Sequence, residues 1–386
     1  MAKNIKLAYL LTFFRFSWFW LGIWIFYYLR FTNYAGIGLI ETVMITIMTL
    51  TEIPTGAIAD IFGKKNTIFF SFIFFTIGIF LMGLAPNFSV LLISIILLAI
   101  GSSLYSGTIE ALVYDTLKQN NNESQYPKII AKIHSIQLLT PALCGALGGF
   151  LYKYNPRLPF IVNAFFHFAG LILSLFLIEP IVDSIKFSFK NYLFQTKQGV
   201  RELFKTQYIK RQTVLLLSIG FIVIIVDQML NIILGVEYGM KEQYIGIIWA
   251  IVYLVSALAL QIIPTISKKI NENIALIIIG ILIAFTLIIS PILGLFIGTL
   301  SIIFRSSFQS IYFSLASIAI NKNTESKYRA TTLSTFNMIN NIPYVCTAFF
   351  VGSLADKYSA KNISQYLGII LIIFLSFQFH KKHDLS

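Results

Sequence analysis

Six ionisable residues stand inside otherwise apolar stretches of this chain: Arg15, Glu41, Glu52, Glu110, Asp227 and Arg305. Charges in such surroundings are costly, and they face a cavity or one another. A buried carboxylate resists ionisation when it has no cation beside it and favours ionisation when it does. Alternation between the two settings lets a carboxylate load and release a proton. Asp227, and after it Glu110, are the expected proton carriers, while Glu41 is expected to snorkel to a membrane surface. His134 and His167 are expected to be structural. Cys144 and Cys346, 202 residues apart in apolar runs, make neither a disulfide framework nor a zinc site. No metal-ligand set, Walker motif, His-Glu-x-x-His or Gly-x-Ser-x-Gly signature is present, so neither a catalytic centre nor a cofactor is expected.

The elements that position these residues follow from composition. The chain has 386 residues, 57% of them hydrophobic and 12% charged, with a mean hydropathy of +0.80. A soluble domain carries about 25% charged residues, so a cytosolic enzyme, a secreted disulfide scaffold and a disordered chain are excluded. A spanning helix needs about 20 mostly apolar residues. Twelve such stretches are marked off: 8–29, 35–59, 66–85, 89–114, 129–152, 158–179, 212–234, 243–264, 273–290, 293–319, 329–354 and 363–380. Turn signals such as Ala85-Pro86-Asn87 and Ser290-Pro291 separate them. The longest break divides the spans six and six. The expectation is an all-α polytopic membrane protein with a six-helix bundle at 1–181, a basic linker at 182–211 and a second bundle at 212–386. The N-terminal run, interrupted by Arg15 and followed by no small-residue cleavage site, reads as an uncleaved first span.

With the N-terminus inside, 21 of the 29 Lys and Arg fall on the inner segments, six on the outer and two within spans. That bias places both termini and the linker in the cytoplasm. The formal net charge of +13 is therefore a topology signal beside anionic lipid, not a footprint for nucleic acid. The halves also repeat. Ser102-Ser103 and Ser106 return 204 residues later as Ser306-Ser307 and Ser310, and Pro141-x-x-Cys144 returns 202 residues later as Pro343-x-x-Cys346. Parallel six-helix repeats are an architecture of secondary transporters.

Between the second and third spans runs Gly56-Ala-Ile-Ala-Asp60-Ile-Phe-Gly63-Lys64-Lys65. It is a helix end with a carboxylate, a glycine-permitted turn and two cations. This run resembles the signature loop of the major facilitator superfamily, with Ile61 in place of a basic residue. Tyr105-Ser106-Gly107-Thr-Ile-Glu110-Ala-Leu-x-Tyr114-Asp115 resembles the fourth-helix end of bacterial efflux-type members. The resemblance implies a cytoplasmic charge latch of Asp60, Lys64 and Asp115. Gly352-Ser-Leu-Ala-Asp356-Lys357 copies the first motif on the outer side and is expected to be a helix end only. The fifth span keeps Gly148-Gly149 of the antiporter branch but has Cys144-Gly145 where Gly-Pro belongs. Gly145, Gly148 and Gly149 suit close helix packing.

In the facilitator fold, spans one, four, seven and ten line the central cavity. The resemblance thus implies pairing of Arg15 with Glu110, with Glu52 competing, and of Asp227 with Arg305. Trp18 and Trp20 lie too deep for an interfacial belt and are candidate cavity aromatics. The expected function is proton-coupled export of amphipathic, drug-like compounds by alternating access. It would be performed by a monomer in a bacterial cell membrane, with a small-molecule substrate and protons as partners. Proton-coupled uptake of a metabolite, and a receptor on the same scaffold, are the alternatives.

Overall fold

The computed structural model describes residues 2–181, 189–325 and 328–383; the side chains of residues 2, 52–61, 189–192, 267, 330 and 378–383 lie outside that description. Every element among the described residues is helical. In a chain this apolar, helices satisfy the backbone's donors and acceptors internally, which a bilayer core requires. Among the described residues, eight helical stretches are long and apolar enough to cross a membrane, and Leu158–Ser174 and Glu272–Ile288 are shorter apolar helices. Twelve uninterrupted rods are not what the chain forms.

The first expected span is broken. Helix α1 (Ala2–Arg15) stops at its arginine, and α2 (Trp24–Tyr28) resumes after an irregular stretch. Gly22 turns the chain there with a φ of +79°, a left-handed conformation that glycine adopts without Cβ strain. Helix α3 (Tyr34–Phe62) and α4 (Lys64–Leu84) meet at Gly63, with φ +85°. Helix α5 (Phe88–Tyr105) starts on Asn87, whose side chain accepts from Val90 N–H at 3.1 Å. The fourth expected span also breaks, at Ser106-Gly107, where Gly107 has φ +72°. Helix α6 (Thr108–Lys118) continues from it.

Two long helices carry an internal proline at repeat-related positions. They are α7 (Tyr126–Tyr154) with Pro141 and, in the second half, α16 (Arg329–Tyr358) with Pro343. On α7, Leu139, Leu143, Leu147 and Phe150 form an exposed apolar stripe, while Gly145, Gly148 and Gly149 lie on packed faces. An apolar exterior of this kind suits lipid. Helix α8 (Leu158–Ser174) follows, and α9 (Phe189–Leu203) occupies part of the basic linker.

The seventh expected span is α10 (Gln207–Ile225), a π-helical turn at Val226–Leu230 and α11 (Asn231–Glu237). Then come α12 (Glu242–Leu260), α13 (Ile263–Lys269), α14 (Glu272–Ile288) and α15 (Leu295–Asn323); α17 (Ala360–His383) follows α16. The chain forms two compact units. One comprises Met1–Phe31, Val43–Phe189 and Glu242–Ala250, and the other Thr32–Thr42, Lys190–Lys241 and Ile251–Ser386. Helices α3 and α12 are therefore each shared between units. The core of the first contains Leu11, Phe72, Phe75, Ile109 and Leu112.

Candidate proton-coupling and gating residues

In the first unit the signature loop forms a compact electrostatic joint. Lys64 Nζ lies 2.6 Å from Asp115 Oδ2, with the two side chains only 13% and 16% exposed. The positive φ of Gly63 ends α3 and begins α4 within one residue, which brings Lys64 to the end of α6. The Glu179 carboxylate accepts from the backbone N–H of Lys64 at 2.8 Å and of Lys65 at 2.7 Å. An anion placed there complements the positive end of the α4 dipole. A Cβ at position 63 would approach this carboxylate to 2.9 Å, so glycine is needed for space as well as for φ. The remaining motif residues, Gly56 and Asp60, and the candidate Glu52, have side chains outside the described residues.

Arg15 does not pair with Glu110 as expected. Its Nη2 donates to Ser102 Oγ at 2.9 Å, and its guanidinium lies 3.9 Å from the centre of the Phe75 ring. Phe16, Trp18 and Tyr105 complete an aromatic surround at 5.2, 5.7 and 5.9 Å. The π-faces and a hydroxyl hold the charge in place of an acid. The physical reason is azimuthal: α1 ends at Arg15 and α6 restarts after Gly107, so equal depth does not bring the two side chains together. Glu110 is half-buried, and its Oε2 has no hydrogen-bond partner among the described residues.

Trp18 and Trp20 lie in the irregular stretch after α1, stacked at 5.5 Å and half-buried. That stretch rests on α7. A Cβ on Gly145 would come within 2.9 Å of Leu21 Cβ, and one on Gly148 would collide with the Phe19 carbonyl. Gly149 approaches the carbonyls of Glu242 and Gln243 at the start of α12, within the same unit. All three packing glycines are thus in close contacts.

In the second unit the expected Asp227–Arg305 pair is also absent. Arg305 is fully buried on α15, where its Nε donates to Asn231 Oδ1 at 2.8 Å. Its Nη1 donates to the Thr286 carbonyl at 3.3 Å. Asn231 Nδ2 in turn donates to Gln309 Oε1 at 3.1 Å and to Ser306 Oγ at 3.4 Å. Neutral oxygens therefore hold this cation. Asp227 lies in the π-helical turn, which shifts the side-chain angle relative to a regular helix. Its side chain is exposed, and neither a cation nor a hydrogen-bond donor engages it among the described residues.

Glu41 does not snorkel. It is 6% exposed, and its Oε2 accepts from Tyr344 Oη at 3.5 Å, because the start of α3 is packed on α16. Three capping carboxylates escaped the sequence reading: Glu179, Glu237 and Asp356. Glu237 accepts from Ala360 N–H at 2.6 Å and Lys361 N–H at 3.0 Å. Asp356 accepts from Tyr34 N–H at 3.0 Å and Ala35 N–H at 2.9 Å, so it is more than the end of its own helix. The copied Gly352-x-x-x-Asp356 motif was the one signal for it. His167 is buried against Phe72 and Phe75, and His134 bonds Gln137 on its own helix.

The model of the Major Facilitator Superfamily matches residues 6–345. An uncharacterized MFS-type transporter of Bacillus subtilis, YxaM, is 24% identical over 65% of this chain and 63% of its own length. The quinolone resistance protein NorA of Staphylococcus aureus is 27% identical over 32% of this chain and 31% of its own. The chain thus spans less than two thirds of either relative. Among solved structures, the nucleoside transporter NupG matches with a TM-score of 0.76 at 15% identity, over 98% of both chains. A POT family transporter matches with a TM-score of 0.76 at 14% identity, over 99% of this chain and 96% of that one. At such identities these structures share the fold.

Proposed function

From the premise that this chain belongs to the major facilitator superfamily, and is therefore a transporter rather than an enzyme, we propose that it exports amphipathic, drug-like compounds in exchange for protons. The observation that carries this reading is Asp227, a carboxylate within an apolar span whose exposed side chain has neither cation nor donor beside it among the described residues. A proton is then the simplest neutraliser, and binding it changes the charge of the site by one. The partial likeness to NorA supports export. The polar side chains of α11 and α15 support an apolar cargo over a sugar-like one. Asn231, Gln309 and Arg305 are buried and bonded to one another, which engages all of their donor atoms except Arg305 Nη2.

The halves of the chain would act as two six-helix bundles, 1–181 and 212–386, joined by the linker. Both termini would face the cytoplasm of a bacterial cell, with the linker cations against anionic headgroups. The protein would work as a monomer. The joint of Lys64, Asp115 and Asp60 would act as a latch that forms in one state and parts in the other.

The deciding experiment uses inverted membrane vesicles energised with a proton gradient. Asp227→Asn is expected to abolish gradient-driven transport while substrate binding persists. Undiminished gradient-driven transport by that variant overturns the assignment. A growth-inhibition screen across toxic compounds, with and without the expressed protein, tests direction and substrate class together. Protection supports export, and sensitisation supports uptake.

A further inference from the structure

The first turns of α3 and the second half of α16 belong to one compact unit, and several contacts fasten them. At the Tyr34 end, both oxygens of Asp356 accept backbone N–H groups from α3. A Cβ on Gly352 would collide with the Tyr34 carbonyl, and one on Gly38 with the Ala348 carbonyl, so the two backbones touch at both glycines. Thr42 Oγ1 donates to the Val345 carbonyl at 3.2 Å. Beside that bond, Tyr344 Oη donates to Glu41. Residues 34–42 are thus clasped along their whole length.

Glu41 is the one carboxylate buried inside this clasp. The titratable group that faces it is the Tyr344 phenol on α16. No cation acts on it among the described residues. Ionised, it would be an uncompensated charge within an apolar contact. Parting of the clasp relieves that charge by admitting water. Neutral, it keeps its phenol bond and the contact stays shut.

We propose that Glu41 is a second proton-binding residue of the transport cycle, and that its protonation closes the α3–α16 clasp. This rests on the proton-coupled reading above. With the Tyr34 end facing outward, a proton taken from outside by a hydrated Glu41 would close the outer side. That is the order an exporter driven by proton entry requires.

The test follows the clasp directly in the full chain, with Cys144 and Cys346 replaced by serine and spin labels at Asn33→Cys and Tyr358→Cys. Both labelled positions are exposed. Distances are measured in reconstituted protein between about pH 5.5 and about pH 8.5, above the range in which a free carboxylate titrates. The unsubstituted Glu41 background is expected to gain short distances on acidification. One linked proton changes the closed-to-open ratio by up to about tenfold per pH unit. Glu41→Gln, permanently neutral, is expected to stay short and lose the pH slope, whereas Asp356→Asn weakens the clasp but keeps the slope.

A native slope in Glu41→Gln, or no slope in its parent, overturns the proposal. Should Glu41→Gln fail to fold, Tyr344→Phe replaces it. Loss of the phenol bond is expected to move the transition midpoint, and an unmoved midpoint overturns the proposal. Proton-driven export with a native slope in Glu41→Gln sinks this inference alone. A Glu41-dependent clasp in a protein that moves nothing on a proton gradient sinks the export reading, and leaves Glu41 as a proton switch of the clasp.

Discussion

A charge placed in an apolar helix recruits whatever lies on its own side of that helix, and here that is seldom the opposite charge. Arg15 is held by rings and a serine, and Arg305 by an amide and a carbonyl. Sequence gives the depth of a residue along a span but not its angle around it, so the expected acid–base pairs were not legible. The Lys64–Asp115 contact was legible, because a motif of fixed spacing carries both the turn and the charge. Lys64→Gln or Asp115→Asn is expected to slow turnover by about three- to tenfold, the worth of about 1 kcal/mol, with substrate affinity unchanged. Single-turnover transport assays distinguish that from a loss of binding, and Asp60→Asn is expected to behave alike. Arg305→Lys replaces a planar donor fork with a point charge and strands Asn231. It is expected to cost about 1–3 kcal/mol, read as a lowered Tm in detergent.

At the scale of elements, three helices begin on a carboxylate donated from elsewhere in the chain: α4 on Glu179, α17 on Glu237 and α3 on Asp356. Each fork satisfies two of the N–H groups that a helix start leaves open and meets the positive end of its dipole. Glu179→Gln keeps the shape but loses the charge. It is expected to lower stability by up to about 2 kcal/mol, with hydrogen exchange rising first at Lys64 and Lys65. An unchanged exchange pattern there would show the fork to be incidental. These caps are invisible to sequence reading because donor and acceptor are far apart in the chain, 115 residues for Lys64 and Glu179. The breaks in the first and fourth spans are partly visible, in Gly22 and in Ser106-Gly107. The π-helical turn around Asp227 has no such mark, since neither Gly nor Pro stands between Val226 and Leu230.

For the whole molecule, the all-helical membrane class was legible in composition, while the breaks in the helices emerged only in the structure. Reporter fusions at both termini are expected to report the same side of the membrane, as the cation bias requires. Opposite sides would invert the topology and with it the direction assigned to the clasp. One contact also limits how this chain can diverge. Gly148 meets a carbonyl of the backbone at Phe19, not a side chain. A side-chain clash can be repaired by trimming the partner, but every residue has the same carbonyl. Gly148→Ala should therefore have no suppressor by substitution at position 19. Revertants should restore the glycine or rebuild the turn around Gly22. A distant homologue that has lost this glycine should also have a first span that runs straight.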